Sequence, residues 1–238
     1  HSNGPAEIVG SKGGSVMQKR GMILGTYDTA MDGWTLSAWK LSSPEYVSNI
    51  VEVPGRVDGP IDLSTALTGG EPRYKSRTLT ATFERSDGNR NTRTDKIMEM
   101  INWVDGWRLN ITLPDDPEHY LTGRIHAVID YNDMAHAAVS ITATCDPWRY
   151  ASNETVVYME ATADRQRALL TNSGRRAVVP KLVVTGSGSI SLRLKNKAWT
   201  VKAGSYQYPE IVLSQGEHEL HYSGAGMGLT VTYREGLL

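Results

Sequence analysis

One cysteine, six histidines, two groups of closely spaced aspartates and several glycine clusters are the residues that could do chemistry in this chain. Phosphate binding needs glycines whose backbone amides cradle the anion and a lysine that neutralises it, in the order Gly, four residues, Gly-Lys-Ser/Thr. No such run occurs. "GSGSIS", Gly186–Ser191, follows a strand-like segment but lacks the third glycine of a dinucleotide fingerprint. It runs into another strand, so no helix N-terminus awaits a pyrophosphate, and a hairpin turn is expected there. Val53–Pro72 carries four glycines and three prolines and is read as a structural connector.

Metal and acid/base patterns fare no better. "DTAMDG", Asp28–Gly33, starts like a calcium loop, yet Ala30 takes a ligand position and Trp39 stands where a bidentate glutamate belongs. His218 and His221 of "HELH" are an odd number apart. On a strand they point to opposite faces and are expected to be solvated edge residues. His119, His126 and His136 fall on a loop and a hairpin, and Asp115 and Asp116 read as loop charge. No Gly-x-Ser-x-Gly elbow is present. Cys145, alone, excludes an internal disulfide and a thiolate-rich zinc site, and reads as a small buried side chain. The expectation is therefore no catalytic residue, no cofactor and no metal.

The elements that would position any site are mostly strands. In "TLTATFE", Leu79, Ala81 and Phe83 share one face. Leu121, Ile125, Ala127 and Ile129 do so in the next such run, and Ala137, Val139, Ile141, Ala143 and Cys145 in the one after. Asn132 and Asp133 between these two runs read as a β-hairpin turn. "NTRTDKIMEMINWVDGW" instead spaces Ile97, Ile101 and Val104 as a helix, with Met98 and Met100 alongside. The helix is expected over 92–105, capped by Thr92 or Thr94, with Asp95 in its first turn and Gly106 at its end. "LPDDPEHY" is expected to be a turn-rich loop.

After "CDPWRYASNETVVYMEA" the turns multiply. "PKLVVTG", "ISLRLKN", "AWTVKAG", "EIVLSQG", "HELHYSG" and "LTVTYREG" read as six short strands of a β-sandwich or jelly roll. The chain is thus expected to be mainly β in two units, the first with one helix, with a boundary between Ala151 and Pro180. Residues 1–21, rich in Gly, Ser and Lys, are expected to be a tag or flexible arm, with the natural start near Met17 or Met22. The 25 basic and 26 acidic residues leave no global field for nucleic acid, and no apolar run approaches the ~18 residues of a membrane span. Tyr and Trp, 11 and 6 against a single Phe, suit surfaces that become partly buried. Trp199, Tyr206, Tyr208, Tyr222 and Tyr233 read mostly as core or edge aromatics, with a sugar platform as the functional alternative.

"VEVPGRVDGPIDLSTALTGGEPRYKSRTLTATFE", Val51–Glu84, resembles the distal tail protein (Dit) family of long, non-contractile-tailed bacteriophages. The resembling features are a Val-Pro-Gly-Arg strand end, an Ile-Asp-Leu step, a Thr-Gly turn and a Tyr that opens the next strand. The motif residues are Pro54, Gly55, Arg56, Gly59, Asp62 and Leu63; Val57 stands where relatives have a tighter Arg-Asp-Gly. In this reading Ile61, Leu63 and Leu67 pack while Asp62 and Ser64 face out. "IMEMINWVDGWRLNITLPDDPEHYLTGRI", "CDPWRY", "LTNSGRRAVVPKLVVTGSGSISL" and the terminal "Tyr-Arg" strand extend the resemblance to nearly everything after Met22.

The resemblance implies an N-terminal split β-barrel carrying one helix, over residues 22–155, and a C-terminal galectin-like β-sandwich over 156–238. It implies a non-enzymatic hub of a phage or prophage tail tip, made in the host cytoplasm and assembled as a hexameric ring. Implied partners are the tail tube protein, the tape measure, tail-associated lysin or fibre proteins and receptor-binding proteins, with no nucleic-acid recognition and no membrane insertion. The alternative is an adhesion module whose second unit binds host-surface carbohydrate.

Overall fold

The computed structural model describes residues 21–238, except 53, 55–58, 67, 69, 87 and 131–136. In chain order the strands of the first half are β1 (Ile23–Leu24), β2 (Tyr27–Asp28), β3 (Thr35–Leu41), β4 (Ile50–Val51), β5 (Ile61–Asp62) and β6 (Arg77–Arg85). Helix α1 (Arg90–Val104) follows, then β7 (Arg108–Leu113), β8 (Asp116–Asp130) and β9 (Ala137–Ala151). The second half adds β10 (Thr155–Ala161), β11 (Gln166–Asn172), β12 (Lys181–Leu194), β13 (Lys197–Tyr206), β14 (Gly216–Ser223), β15 (Met227–Tyr233) and β16 (Gly236–Leu237).

The alternation read from sequence sets the first sheet, whose order is β2-β1-β7-β8-β9-β6-β3. All its pairings are antiparallel. Its two outermost strands, β2 and β3, are consecutive in the chain and separated only by residues 29–34. The sheet therefore curls nearly into a barrel. Leu79, Phe83, Ile125, Ile141 and Cys145 line its interior, and Trp34 fills it with no exposed surface. Each large aliphatic or aromatic side chain so buried contributes about 1.5–3 kcal/mol.

Helix α1 begins two residues before the expected Thr92. Asn89, not Thr92 or Thr94, is its cap, accepting a hydrogen bond from the Thr92 amide at 3.0 Å. Because the helix starts earlier, Asp95 lies beyond the first turn, which holds no acidic residue. Met100 and Val104 are fully buried in the first core, Ile97 and Ile101 pack at its margin, and Met98 stays exposed. Gly106, at φ 74°, breaks the helix as expected.

The Pro-Asp stretch is tighter than a loop: Leu113 pairs directly with Asp116, leaving a two-residue turn at Pro114 and Asp115. The β8–β9 hairpin forms as expected, with Ile129 opposite Val139. Its Asn132–Asp133 turn, His136 and residues 1–20 lie outside the described residues.

In the second half the expected short runs partly fuse. "PKLVVTG" and "ISLRLKN" are one strand, β12, with a bulge between Val184 and Ser189. Gly186–Ser191 is therefore not a hairpin turn. Gly186, at φ 118°, lets the strand kink where an L side chain would strain it. The true turn is Lys195–Asn196, since Leu194 pairs with Lys197. One edge of β12 pairs with β15 before the bulge and with β14 after it. The sheet β10-β15-β12-β14-β11 thus bends on itself around a second core of Leu182, Ile190, Leu192, Leu220 and Val231. "EIVLSQG" forms no strand: Ile211 and Leu213 cap this core from a loop held by one bridge, Val178 to Leu213. Strands β10 and β11, unrecognised in the sequence, complete the sheet.

Candidate assembly surface

The residues singled out for chemistry do not converge. The Asp28 carboxylate accepts from the Ala30 and Met31 amides at 2.9 and 3.1 Å, closing a turn. Asp32 accepts from Tyr27 Oη and from Lys96 Nζ (2.8 Å), with Arg85 3.9 Å away. Burial alone would raise the Asp32 carboxyl. The Lys96 and Tyr27 hydrogen bonds and the Lys96 and Arg85 charges outweigh it and hold the group below the usual carboxylate range. This cluster ties helix α1 to the β2–β3 turn.

Asp116 proves to be a strand residue, 2.7 Å from His119 Nδ1 and 3.0 Å from Arg149. Asp115 stays exposed in the adjacent turn. His126 meets Asp105 at 3.1 Å. His218 and His221 do face opposite ways, but strand β14 is interior to its sheet. His218 is buried and contacts the Ser214 carbonyl at 2.7 Å instead of solvent. Cys145 is buried, and desolvation, helped by the Asp146 charge, pushes its thiol up to about 11. Among the described residues no group of three or more His, Cys, Asp or Glu could hold a metal ion. Tyr222 and Tyr233 are buried, while Trp199, Tyr206 and Tyr208 pack against the second core.

What the first half does present is an arm. The β3–β6 ladder runs past the barrel: the Ser42 amide donates to Thr78 O, Lys75 N to Glu45 O and Val47 N to Arg73 O. Further out, β4 and β5 pair as Ile50 to Asp62 and Val51 to Ile61, in a separate two-stranded sheet. The Ser64 hydroxyl and then its amide, the latter at 2.9 Å, hydrogen-bond the Asp62 carboxylate and lower its pKa, and Ser64 Oγ accepts from Asn49 N at 2.8 Å.

Asp62 thus pins the arm's return strand. Gly59 takes φ 83°, open only to glycine at little cost. Leu63, expected to pack, is 40% exposed, beside Ile50 at 55% and Val51 at 40%. Pro54 is exposed; Gly55, Arg56 and Leu67 lie outside the described residues. Apolar side chains on a thin two-stranded ribbon have no core of their own to enter, so Ile50 on one face and Val51 and Leu63 on the other stay at the surface.

A second constellation joins the two halves. Strand β16 returns to the first sheet, pairing Gly236 with Tyr150 and Leu237 with Arg149. Arg149 donates to Asp116 and, at 2.9 Å, to the Leu238 carbonyl. Arg234 donates to Ala151 O (2.5 Å) and Ser152 O (2.7 Å) and lies over the Tyr120 ring. Tyr233 Oη donates to Thr171 O at 2.7 Å. Asn172, fully buried, donates to Arg176 O and Leu213 O, both at 2.9 Å, and accepts from Gly174 N. The Asn-x-Gly and Tyr-Arg steps of the sequence are therefore structural parts of this junction. At the arm's root, Tyr74 packs edge-on to Trp148 with Arg175 above it.

Among solved structures, the chain is similar to the crystal structure of the Dit protein of phage SPP1, described as a paradigm of hub adsorption apparatus in phages infecting Gram-positive bacteria. The TM-score is 0.63 at 15% identity, over 90% of this chain and 98% of that one. The fold is Dit-like. The phage p2 baseplate in its activated conformation with Sr is a more distant likeness, with a TM-score of 0.42 and 5% identity over 87% of this chain and 92% of that chain. No family model matches the sequence, and no curated protein matches it. At 90% coverage the likeness takes in strands of both sheets.

Proposed function

We propose that this protein is a structural hub of a phage or prophage tail tip, located in the virion and made in the host cytoplasm. The observation that carries the reading is the likeness to the SPP1 hub protein over nearly the whole of both chains. Residues 22–155 form the ring-building domain and 156–238 an outward-facing, galectin-like sandwich. Six copies close a ring through a heterologous interface, in which each exposed β4–β5 arm lies on the neighbouring copy. The tail tube and tape measure proteins meet one side of the ring. Lysin, fibre and receptor-binding proteins meet the other. The chain performs no catalysis in this role.

The test is the solution mass by light scattering, with negative-stain images of the same fraction. A mass six times that of the chain and rings with an axial hole are expected. A species that stays monomeric at high concentration, even with the tail tube protein added, overturns the reading.

A further inference from the structure

The outer face of the second sheet carries a pattern that the hub role does not use. Leu192, Leu194, Leu220 and Tyr222 point into the core, so their strand neighbours point out. The registers place Ala198, Arg193, His221 and Arg167 in one row across β13, β12, β14 and β11. The next row on the same face is Thr200, Ser191 and Ser223. Arg165, just before β11, flanks that row.

Three adjoining hollows on this face, the first of about 310 Å³, share Arg165 and His221 in their walls. Trp199 borders the first hollow but has the core-facing parity of its partner Leu192, so it offers no stacking platform on this face.

Charge compensation across the face is uneven. Glu219 lies 3.6 Å from the Arg167 guanidinium and 3.5 Å from His221 Nε2. Glu217 and Glu219 border the hollow nearest the Lys195 turn, which Arg165 and Arg193 also line, whereas the first hollow has both arginines and no carboxylate in its wall. Arg165 and Arg193 make no ion pair among the described residues; they stand two strands apart and one row out of step on the same face, and both line the first hollow. Guanidinium forks bind phosphate and carboxylate in bidentate fashion. Beside them the hydroxyls of Ser191, Ser223 and Thr200 are not engaged by any described protein group. A row of free hydroxyls beside two uncompensated guanidiniums matches a ligand that alternates hydroxyl groups with oxyanions.

We infer that this face, centred on Arg193 and Arg165, binds a polyhydroxyl chain that bears phosphate or carboxylate, an anionic sugar or polyol polymer. The guanidiniums take the oxyanions and the Ser191–Ser223 row takes the chain hydroxyls. The site is independent of whether the chain closes a ring.

The test is calorimetric titration of the full chain with poly(glycerol phosphate) and with polygalacturonate. Dextran serves as the neutral chain and polyglutamate as the acidic peptide. Binding to either of the first two is expected, and which one binds assigns phosphate or carboxylate as the oxyanion. Arg193→Gln and Arg165→Gln should each weaken it roughly tenfold, the scale of one lost charge-assisted hydrogen bond. Ser191→Ala with Ser223→Ala should weaken it less, and Arg90→Gln, on the helix of the other half, should leave it unchanged. Arg193, Arg165, Ser191 and Arg90 are exposed and Ser223 is half-buried on the same open face, so melting curves should stay close to that of the wild type. No binding to either polymer overturns the inference. So does equal binding of dextran or polyglutamate, or equal binding by the double arginine variant.

Discussion

Gly174 and Gly236 meet backbone to backbone: a β-carbon on Gly174 would lie 2.7 Å from the Gly236 carbonyl oxygen and 2.8 Å from its amide nitrogen. Neither backbone atom can step aside without disturbing the β16–β9 pairing. Gly174→Ala should therefore destabilise the protein by about 1–3 kcal/mol, the usual cost of overpacking. Gly236→Ala should cost less, because the atoms nearest its β-carbon are side-chain atoms of Arg176, at 3.0 Å, and not backbone at 2.7 Å. Denaturant midpoints of the two variants check the order. Equal midpoints would mean that the junction is looser than this contact requires.

Cys145 sits against the first core, and its thiol is pushed up to about 11 by burial and by the Asp146 charge. At neutral pH it should be almost wholly protonated and shielded. A maleimide probe should label the native protein only at the rate of unfolding, and the urea-unfolded chain at once. Gly123 reports on the same spot from the facing strand: its β-carbon would stand 2.6 Å from Cys145 Sγ and 2.9 Å from Thr144 O. Gly123→Ala should speed the labelling by opening that contact.

How legible this molecule is in its sequence varies with the physics of each segment. Leu79, Ala81 and Phe83 alternate because one face of β6 is buried and the other is not, and that period survives in any reading. Gly186 and Gly188 mislead, because glycine next to serine has the same composition in a turn and in a bulge; only the pairing of β12 with β15, β14 and β13 distinguishes them. Asn89 loses to Thr92 as a cap on paper because both side chains can accept an amide; only the extended backbone at Asn89, with the helix already under way at Thr92, distinguishes them. Leu63 reads as core from its type alone, whereas exposure depends on the arm standing clear of the barrel. Arg149 and Arg234 carry no local signal, since their partners are brought in by the return of β16.

Asp32 gives a pH prediction with a definite sign. Its folded pKa lies below the ordinary 3.8, so the stabilisation it supplies is complete above that value and is lost as pH falls through the lower folded one. Asp32→Asn should cost on the order of 1 kcal/mol at neutral pH, a modest figure because the cluster is partly open to solvent. Urea unfolding of both proteins should show this gap closing as pH drops well below 3.8. A gap that persists in acid would assign the effect to packing at the β2–β3 turn and not to charge.

The arm supplies the prediction that bears most directly on assembly. Ile50 is 55% and Leu63 40% exposed in a ribbon whose only described strand pairing is its own. Lysine at both positions adds charge without removing a core contact, so Ile50→Lys with Leu63→Lys should leave the melting temperature unchanged. If neighbouring copies cover this ribbon, the same variant should weaken self-association at least tenfold, about 1.4 kcal/mol. Light scattering over a dilution series reads the shift. Should the wild type associate only with the tail tube protein present, the comparison is made in that mixture. Undiminished assembly by the double variant would move the interface off the arm and onto the barrel wall, where Trp103 and Trp107, 54% and 62% exposed, are the next large apolar side chains to replace.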